Sequence, residues 1–371
     1  IQAMKHNNKL FYGLQFHPEV HHTPAGRMIL KRFVEEVCGC QGDWTPQSII
    51  QQAIKRIRTQ VGDSQVLSAV SGGVDSSVAT ALVQKAVGDQ LTAVFVDTGL
   101  MRKDEPKWVE KAFRDNLGAN LITINAQEPF FNKLAGITAP EEKRAIIGKT
   151  FIRLFESTAH RLDDPAFLVQ GTIYPDVVES RAAERINTHR IKTHHNVGGL
   201  PEKMDFELVE PLRYLFKDEV RIIGEILNLP TELVWRQPFP GPGLAVRCIG
   251  SVTRERIAKL RAADAIFTEA LSHAGLLQVR RDSTGLESGT SQAFAVLLPV
   301  KAVGVMGDQR TYEEVIALRG VTTEDFMTAN WARLPYDVLS RVANRIINEV
   351  QGVNRVVYDI TSKPPGTIEW E

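Results

Sequence analysis

From residue 44 to about residue 236 the chain alternates short apolar bursts with longer amphipathic stretches. The bursts are VLSAV (66–70), LTAVFVD (91–97), NLITIN (120–125) and AFLVQG (166–171). Each is strand-sized and nearly continuous rather than alternating, which is the pattern of a strand buried on both faces. Between them apolar residues recur at helical spacing, as Val78, Leu82 and Ala86 do, one turn apart on a single face. Strands of this kind separated by helices predict an α/β unit with a doubly wound parallel sheet, whose ligands lie outside the carboxyl ends of the strands.

The flanks read differently. Residues 1–43 offer one short strand in LFYGLQF, the turn FHPEVHHTPAG, and a helix RMILKRFVEEVCG closed by Gly39. That is too little to bury a core of its own. At 236–244, RQPFPGPGL places three prolines and two glycines in nine residues, which no helix or central strand survives, so it marks a boundary or rigid elbow. Beyond it, strands GLAVRCIG (243–250), SQAFAVLLP (291–299) and RVVYDI (355–360) mix with helices over 252–273 and 334–350. The second helix carries the apolar stripe Val338, Leu339, Val342, Ile346, Ile347 and Val350. A smaller α+β unit is the expectation, giving domains 1–43, 44–236 and 237–371. The rhythm breaks at 176–199, DVVESRAAERINTHRIKTHHNVGG, a polar stretch that reads as a mobile lid, its first half equally as an exposed helix.

Charge and cysteine content narrow the function classes. Lys+Arg and Asp+Glu are equal at 44 each, so no overall basic field invites a nucleic acid or a membrane surface, and any anion site must be local. The three cysteines Cys38, Cys40 and Cys248 have neither metal-cage nor disulfide spacing, which fits a reducing, cytoplasmic setting. No apolar run approaches the ~20 residues a bilayer span needs, and no signal-peptide core is present.

The candidate chemistry begins where the first burst ends. Ser71-Gly72-Gly73-Val74-Asp75-Ser76-Ser77 joins a strand to a helix, a turn that lets backbone N–H groups and a helix N-terminus converge on an anion. Gly72 and Gly73 allow close approach, and Ser71, Ser76 and Ser77 supply hydroxyl donors. The P-loop pattern is not met, because neither its spacing nor its lysine is there. Asp75 would repel a phosphate alone; it makes sense holding a magnesium ion that the phosphates share.

These seven residues resemble the pyrophosphate loop of the ATP pyrophosphatases, enzymes with an adenine nucleotide alpha hydrolase-like fold that cleave ATP between its α and β phosphates. The resemblance implies ATP as substrate, Mg²⁺ at Asp75, and nucleotide contacts from Val74 and the rest of the loop and from Val96 and Asp97. For Asp97 or Thr98 a helix cap is the plain alternative. The missing lysine then has a reason: the cradle holds a leaving pyrophosphate.

EEKRAIIGKTF, QGTIYPDVVES, IKTHHNVGGLP, LVEPLRYLFKDEVR, RQPFPGPGLAVR, VGVMGDQRTYE and the closing SRVANRIINEVQGVNRVVYDITSKPPGTIEWE resemble, in that order, the GMP synthetase family. That resemblance implies adenylation of XMP at the oxygen on carbon 2, then amination by ammonia to GMP, AMP and pyrophosphate. It implies that Lys217 reaches the pyrophosphate, that Arg144, Lys363, Ile368 and Glu369 contact XMP, and that His194 and His195 belong to the lid. It also implies a homodimer through the C-terminal domain. GLLQVRRDSTGLESGTSQAF departs from the family pattern as an extra polar loop. Phe16-His17-Pro18-Glu19 resembles the end of a class I glutamine amidotransferase, with His17 and Glu19 as two triad members. The Gly-x-Cys-x-Gly turn of the nucleophile is not in the sequence, so these residues alone are expected to use free ammonia rather than glutamine. Two other readings are weighed beside this one: the same loop serving another acceptor, such as nicotinate adenine dinucleotide or a tRNA base, and a silent nucleotide-binding module.

Overall fold

A computed structural model describes residues 2–20, 23–162, 165–178, 206–278, 280–281, 287–306, 308–323 and 326–371. It divides into two compact units, Ile1–Ala53 and Ile54–Glu371. In the first, the expected single strand is a pair: β1 (Ala3–Lys5) runs antiparallel to β2 (Tyr12–Leu14). Helix α1 (Gly26–Arg32) continues into a π-helical turn, Phe33–Val37, and Gly39 at φ +67° ends it in the left-handed conformation. Among the described residues of 2–43 Gly26 alone is buried, so this segment has no core of its own.

The second unit begins within α2 (Pro46–Val61) and is built first on five parallel strands. They are β3 (Val66–Val70), β4 (Leu91–Asp97), β5 (Asn120–Asn125), β6 (Phe167–Val169) and β7 (Glu207–Val209), in the spatial order β5-β4-β3-β6-β7. Helices α3 (Val74–Val87), α4 (Glu105–Lys111), α5 (Gln127–Leu134) and α6 (Pro140–Ala159) follow the first strands. The chain leaves β3 toward β4 on one side and later returns to β6 on the other. The carboxyl end of β3 is therefore the topological switch point, the place where such sheets take ligands. One face of the sheet packs Val70, Ala93 and Phe95 against Val109 and Phe113. The other places Leu67, Val94 and Leu168 in a core that runs on into the C-terminal half. The fifth strand escaped the sequence pattern because three residues form no period.

Helices α7 (Lys217–Ile226) and α8 (Thr231–Val234) lead into the proline-rich elbow, and α9 (Arg254–His273) opens the second sheet, with Thr253 Oγ1 accepting from the Arg256 N–H at 3.2 Å as its cap. A short ribbon, β8 (Arg280–Arg281) with β9 (Glu287–Ser288), marks the departing polar loop, whose residues 282–286 lie outside those described. Then β10 (Gln292–Met306) and β11 (Gln309–Thr322) form a long antiparallel hairpin with a register shift between Leu298 and Lys301. Against β11 lie β12 (Asn330–Trp331), antiparallel, and, after α10 (Tyr336–Glu349), β13 (Val353–Asp359), parallel.

The strand expected at 243–250 is a correction. Gly243–Arg247 is a 3-10 turn, and only Cys248 makes an isolated bridge, to Leu297. Gly243 sits at φ +67°, and a Cβ there would come within 2.4 Å of the Leu100 carbonyl oxygen, which accepts from the Leu244 N–H at 2.7 Å. The segment spends its backbone bonding on the loop after β4, and a short buried apolar run does not reveal that from its pattern. The described start of the expected lid, 176–178, belongs to a helical stretch that begins at Tyr174; the remainder, with His194 and His195, lies outside the described residues. Among the described residues no helix is long and apolar enough to cross a membrane.

Candidate active site

The loop after β3 closes on itself before it meets any ligand. Ser71 Oγ and Ser76 Oγ are 3.0 Å apart, Ser76 Oγ donates to the Gly73 carbonyl at 3.1 Å, and the Gly73 N–H reaches Ser71 Oγ at 3.3 Å. Gly73 is the N-cap of α3 and offers no side chain to cap it, so the helix's first N–H groups and its positive end are left for an anion. Gly72 stands at φ +76°, and a Cβ there would meet Val109 Cγ2 at 3.1 Å and Glu105 Oε1 at 3.4 Å. Both conformation and space call for glycine.

Asp75 lies in the first turn of α3, and Lys217, the first residue of α7, reaches it: Nζ is 2.5 Å from Oδ2. The two helices meet where Gly224 faces Val78, a Cβ at Gly224 standing 3.0 Å from Val78 Cγ2. The Phe216 N–H, bonded to Glu219 Oε2 at 2.8 Å, starts α7 at the right residue. Asp75 Oδ1 is buried with no hydrogen-bond partner. An idle carboxylate oxygen at the mouth of an anion loop fits a hard cation. No group of three or more His, Cys, Asp or Glu that could hold a metal is found among the described residues.

Val96 is buried at the end of β4. Asp97 holds the turn beyond it, accepting from the Gly99 N–H at 2.9 Å and from Gln127 Nε2 at 2.7 Å, while the Thr98 hydroxyl takes the Leu100 N–H at 3.2 Å. These side chains cap a turn; α4 starts later, at Glu105. Arg261, on α9, clamps the same loop through the carbonyls of Gly99 (2.5 Å) and Met101 (2.8 Å).

The tail KPPGTIEWE (363–371) is fastened by three fully buried cations that the sequence did not single out. Arg319 donates to the carbonyls of Thr361 (2.6 Å) and Thr367 (3.2 Å). Arg247 makes a two-pronged pair with Glu369, at 3.0 and 2.6 Å, and Gln292 Nε2 adds a third bond at 3.0 Å. Lys143 Nζ meets Glu371 Oε2 at 2.6 Å and the carbonyls of Cys248 (2.9 Å) and Ala245 (3.3 Å). Arg144, next on α6, donates to the Glu371 carbonyl at 2.5 Å and keeps its Nε without a hydrogen bond. Ile368 packs on Phe294, Val296 and Ala317, and Lys363 Nζ donates to the Phe326 carbonyl at 2.6 Å. So the tail brings Ile368 and Glu369 into order and Arg144 to its end, while Lys363 sits near Phe326. The one available signal for these cations was a Lys or Arg amid otherwise apolar segments, as in GLAVRCIG and VIALRGV.

Around the ring of Phe239 stand Arg102 at 4.6 Å, Arg247 at 5.3 Å and Arg236 at 5.9 Å. Burial lowers the Arg102 pKa to about 10, against the pull of Asp264, 3.6 Å away, and with the repulsion of Arg247 and Arg236. In the first unit His17 Nδ1 and Glu19 Oε1 are 2.7 Å apart, and hydrogen bonds from its own backbone and from His17 hold the Glu19 carboxyl below its ordinary value. A carboxylate so placed fixes the ring's tautomer and orientation.

Comparison with known proteins adds three family matches. The model described as GMP synthase C terminal domain matches residues 280–370, NAD synthase matches 47–145, and Glutamine amidotransferase class-I matches 1–37. A protein named GMP synthase [glutamine-hydrolyzing] from Clostridium botulinum is 57% identical over 370 residues, covering 100% of this chain and 70% of that protein. Its namesake from Marinomonas sp. is 57% identical over 371 residues, covering 100% of this chain and 69% of that one. The Clostridium tetani namesake is 55% identical over 371 residues, with 100% and 70% covered.

Proposed function

The chain belongs to the glutamine-hydrolysing GMP synthase family, and from that premise we propose how its residues divide the work of an ATP-dependent amidoligase. The reaction is ATP-dependent amination of XMP to GMP, a step of purine nucleotide synthesis, with ammonia or glutamine as nitrogen source. The observation that carries our reading of the residues is the half-open Lys217–Asp75 pair, with Asp75 Oδ1 unused, at the mouth of the loop.

In this reading the N–H groups opening α3 and the hydroxyls of Ser71 and Ser76 receive the β and γ phosphates, with Gly72, Gly73 and Val74 giving the backbone its approach and Ser77, fully buried, backing the loop. Val96 and Asp97 border the adenosine. Asp75, through its unused Oδ1, would hold Mg²⁺, which would supply positive charge against that of the phosphates. Lys217 then turns from Asp75 to the bridging side of the pyrophosphate, where negative charge grows as the bond to the α phosphate breaks. A cation fixed at that point is worth more to the transition state than to bound ATP. Arg144, whose Nε makes no hydrogen bond and lies 3.8 Å from Glu141 Oε1, and Lys363 take the anionic parts of XMP. Ile368 lies under the purine, and Glu369, held by Arg247 and Gln292, accepts from its N–H groups. Placing the purine oxygen on carbon 2 in line with the α phosphate gives the adenylate, and ammonia displaces AMP.

His17 and Glu19 are assigned to the glutaminase triad, and residues 1–43, 44–236 and 237–371 to the amidotransferase end, the ATP pyrophosphatase domain and the dimerisation domain. Val303 and Tyr312, paired across the β10–β11 hairpin and both exposed, support pairing of two copies there. The test is incubation with ATP, Mg²⁺, ammonium and XMP, with AMP, pyrophosphate and GMP counted. Equal yields are expected, and Asp75→Asn should cut AMP formation by about a hundredfold or more while the protein stays folded. AMP formation unchanged in that variant would sink the assignment of Asp75.

A further inference from the structure

The elbow RQPFPGPGL is more than punctuation, because its side chains stand between the loop and the tail. Arg236 reaches back to the loop: Nη1 donates to the Gly72 carbonyl, and Nη2 lies 2.6 Å from Glu105 Oε1. Glu105 is itself buried, and its Oε2 accepts from the Arg102 N–H at 3.1 Å. The Arg236 guanidinium is thus ion-paired with a carboxylate on α4 while it donates to a backbone oxygen of the loop.

The grip matters because of peptide geometry. In a trans peptide the carbonyl and the N–H of the next residue point in opposite directions. A glycine at φ +76° lets the peptide beyond it turn over at little cost. Turned one way, the Gly72–Gly73 peptide shows an oxygen to an arriving phosphate and repels it. Turned the other way, it shows the Gly73 N–H, the side on which that N–H now meets the Ser71 hydroxyl at 3.3 Å. We propose that Arg236 is a positioning residue for the pyrophosphate loop: by holding the Gly72 carbonyl it keeps the Gly73 N–H and those opening α3 facing the pyrophosphate. This rests on the reading of the loop as the pyrophosphate site.

Arg236→Lys keeps the charge and loses the fork that serves Gly72 and Glu105 together. Ammonia-driven GMP synthesis by the full chain is followed at varied ATP and varied XMP, with added pyrophosphate as inhibitor and the thermal midpoint alongside. The inhibition constant for pyrophosphate and the KM for ATP should rise about tenfold or more, and the KM for XMP by less than about twofold, as expected for losing one charge-assisted bond on one side of the site. Glu105→Gln, which removes the carboxylate that steadies the guanidinium, should move the same two constants in the same direction and carries the test if the lysine variant does not fold. A pyrophosphate inhibition constant unchanged in both variants, or KM values for ATP and XMP rising together as the midpoint falls, overturns the proposal. A wild-type enzyme insensitive to pyrophosphate removes the reading of the loop itself, and the proposal with it.

Discussion

Two lysine–carboxylate pairs in the second unit share a bond length and differ in everything around it. Lys143 meets Glu371 at 2.6 Å with the two side chains 0% and 6% exposed, and two backbone carbonyls take the ammonium's other protons. Lys217 meets Asp75 at 2.5 Å with the side chains 41% and 29% exposed, and one Asp75 oxygen bonded to nothing. A sealed pair whose ammonium has spent all three protons has none left for a ligand and fixes the tail. A half-open pair with an idle oxygen is weakly held, and either partner can change allegiance when an anion and a cation arrive. What separates structure from chemistry here is the surroundings of the pair, not the pair.

The largest effect should come from breaking the sealed pair. Lys143→Met leaves a buried carboxylate without its cation, a loss of about 3–5 kcal/mol, read from the urea midpoint. Replacing both partners, Lys143→Met with Glu371→Leu, should recover most of it, since an apolar pair needs no compensation. Lys217→Met should do the reverse: a stability change within about 1 kcal/mol, and a fall in AMP formation of about a hundredfold or more. If Lys217→Met unfolds the protein while Lys143→Met does not, the distinction drawn from burial is wrong.

The sequence made one half of this comparison readable and hid the other. VSGGVDSS announced itself because glycine, serine and aspartate between an apolar strand and a helix have few other uses, and the parallel sheet followed from four buried bursts. Lys217 was reachable only through family resemblance, since 142 residues separate it from Asp75 and no local pattern spans that distance. Lys143, Arg247 and Arg319 stayed invisible for a different reason. A buried cation looks in sequence like a surface one, and its partners are carbonyls and a tail supplied by the fold. The 3-10 turn at Gly243–Arg247 was misread as a strand on the same ground, because its bonding partner is the loop after β4. Phe239 and Arg236 were seen only as parts of an elbow, as prolines report where a chain bends and not what the bend holds.

A smaller effect should appear with pH beside the sealed pair. Burial raises the Cys248 thiol from 9.0 to about 11, against the pull of Arg256 and Lys143. The folded state therefore keeps a proton that the unfolded chain gives up. The stabilisation is whole below pH 9.0 and is lost as pH rises to about 11, amounting to roughly 3 kcal/mol. Other groups titrate in the same range, so the check is the difference between wild type and Cys248→Ala in urea midpoints across that window. The wild type should lose more stability than the variant; parallel curves would mean that the region around Lys143 is open to water, which would blur the contrast with Lys217.

The smallest effect belongs to a third pair, which extends the contrast to full exposure. Arg254, opening α9, pairs with Glu128 in the first turn of α5, and the side chains are 50% and 71% exposed. Arg254 also lies 4.7 Å from the Phe131 ring, so its place is fixed without the carboxylate. Glu128→Gln removes one charge near the helix's positive end and one screened attraction. The expected cost is about 0.5 kcal/mol, shrinking further in ~1 M salt, where exposed charges act over only ~3 Å. Urea midpoints at low and high salt measure both. A cost that stays near that of Lys143→Met in high salt would mean that distance, rather than burial, ranks these pairs.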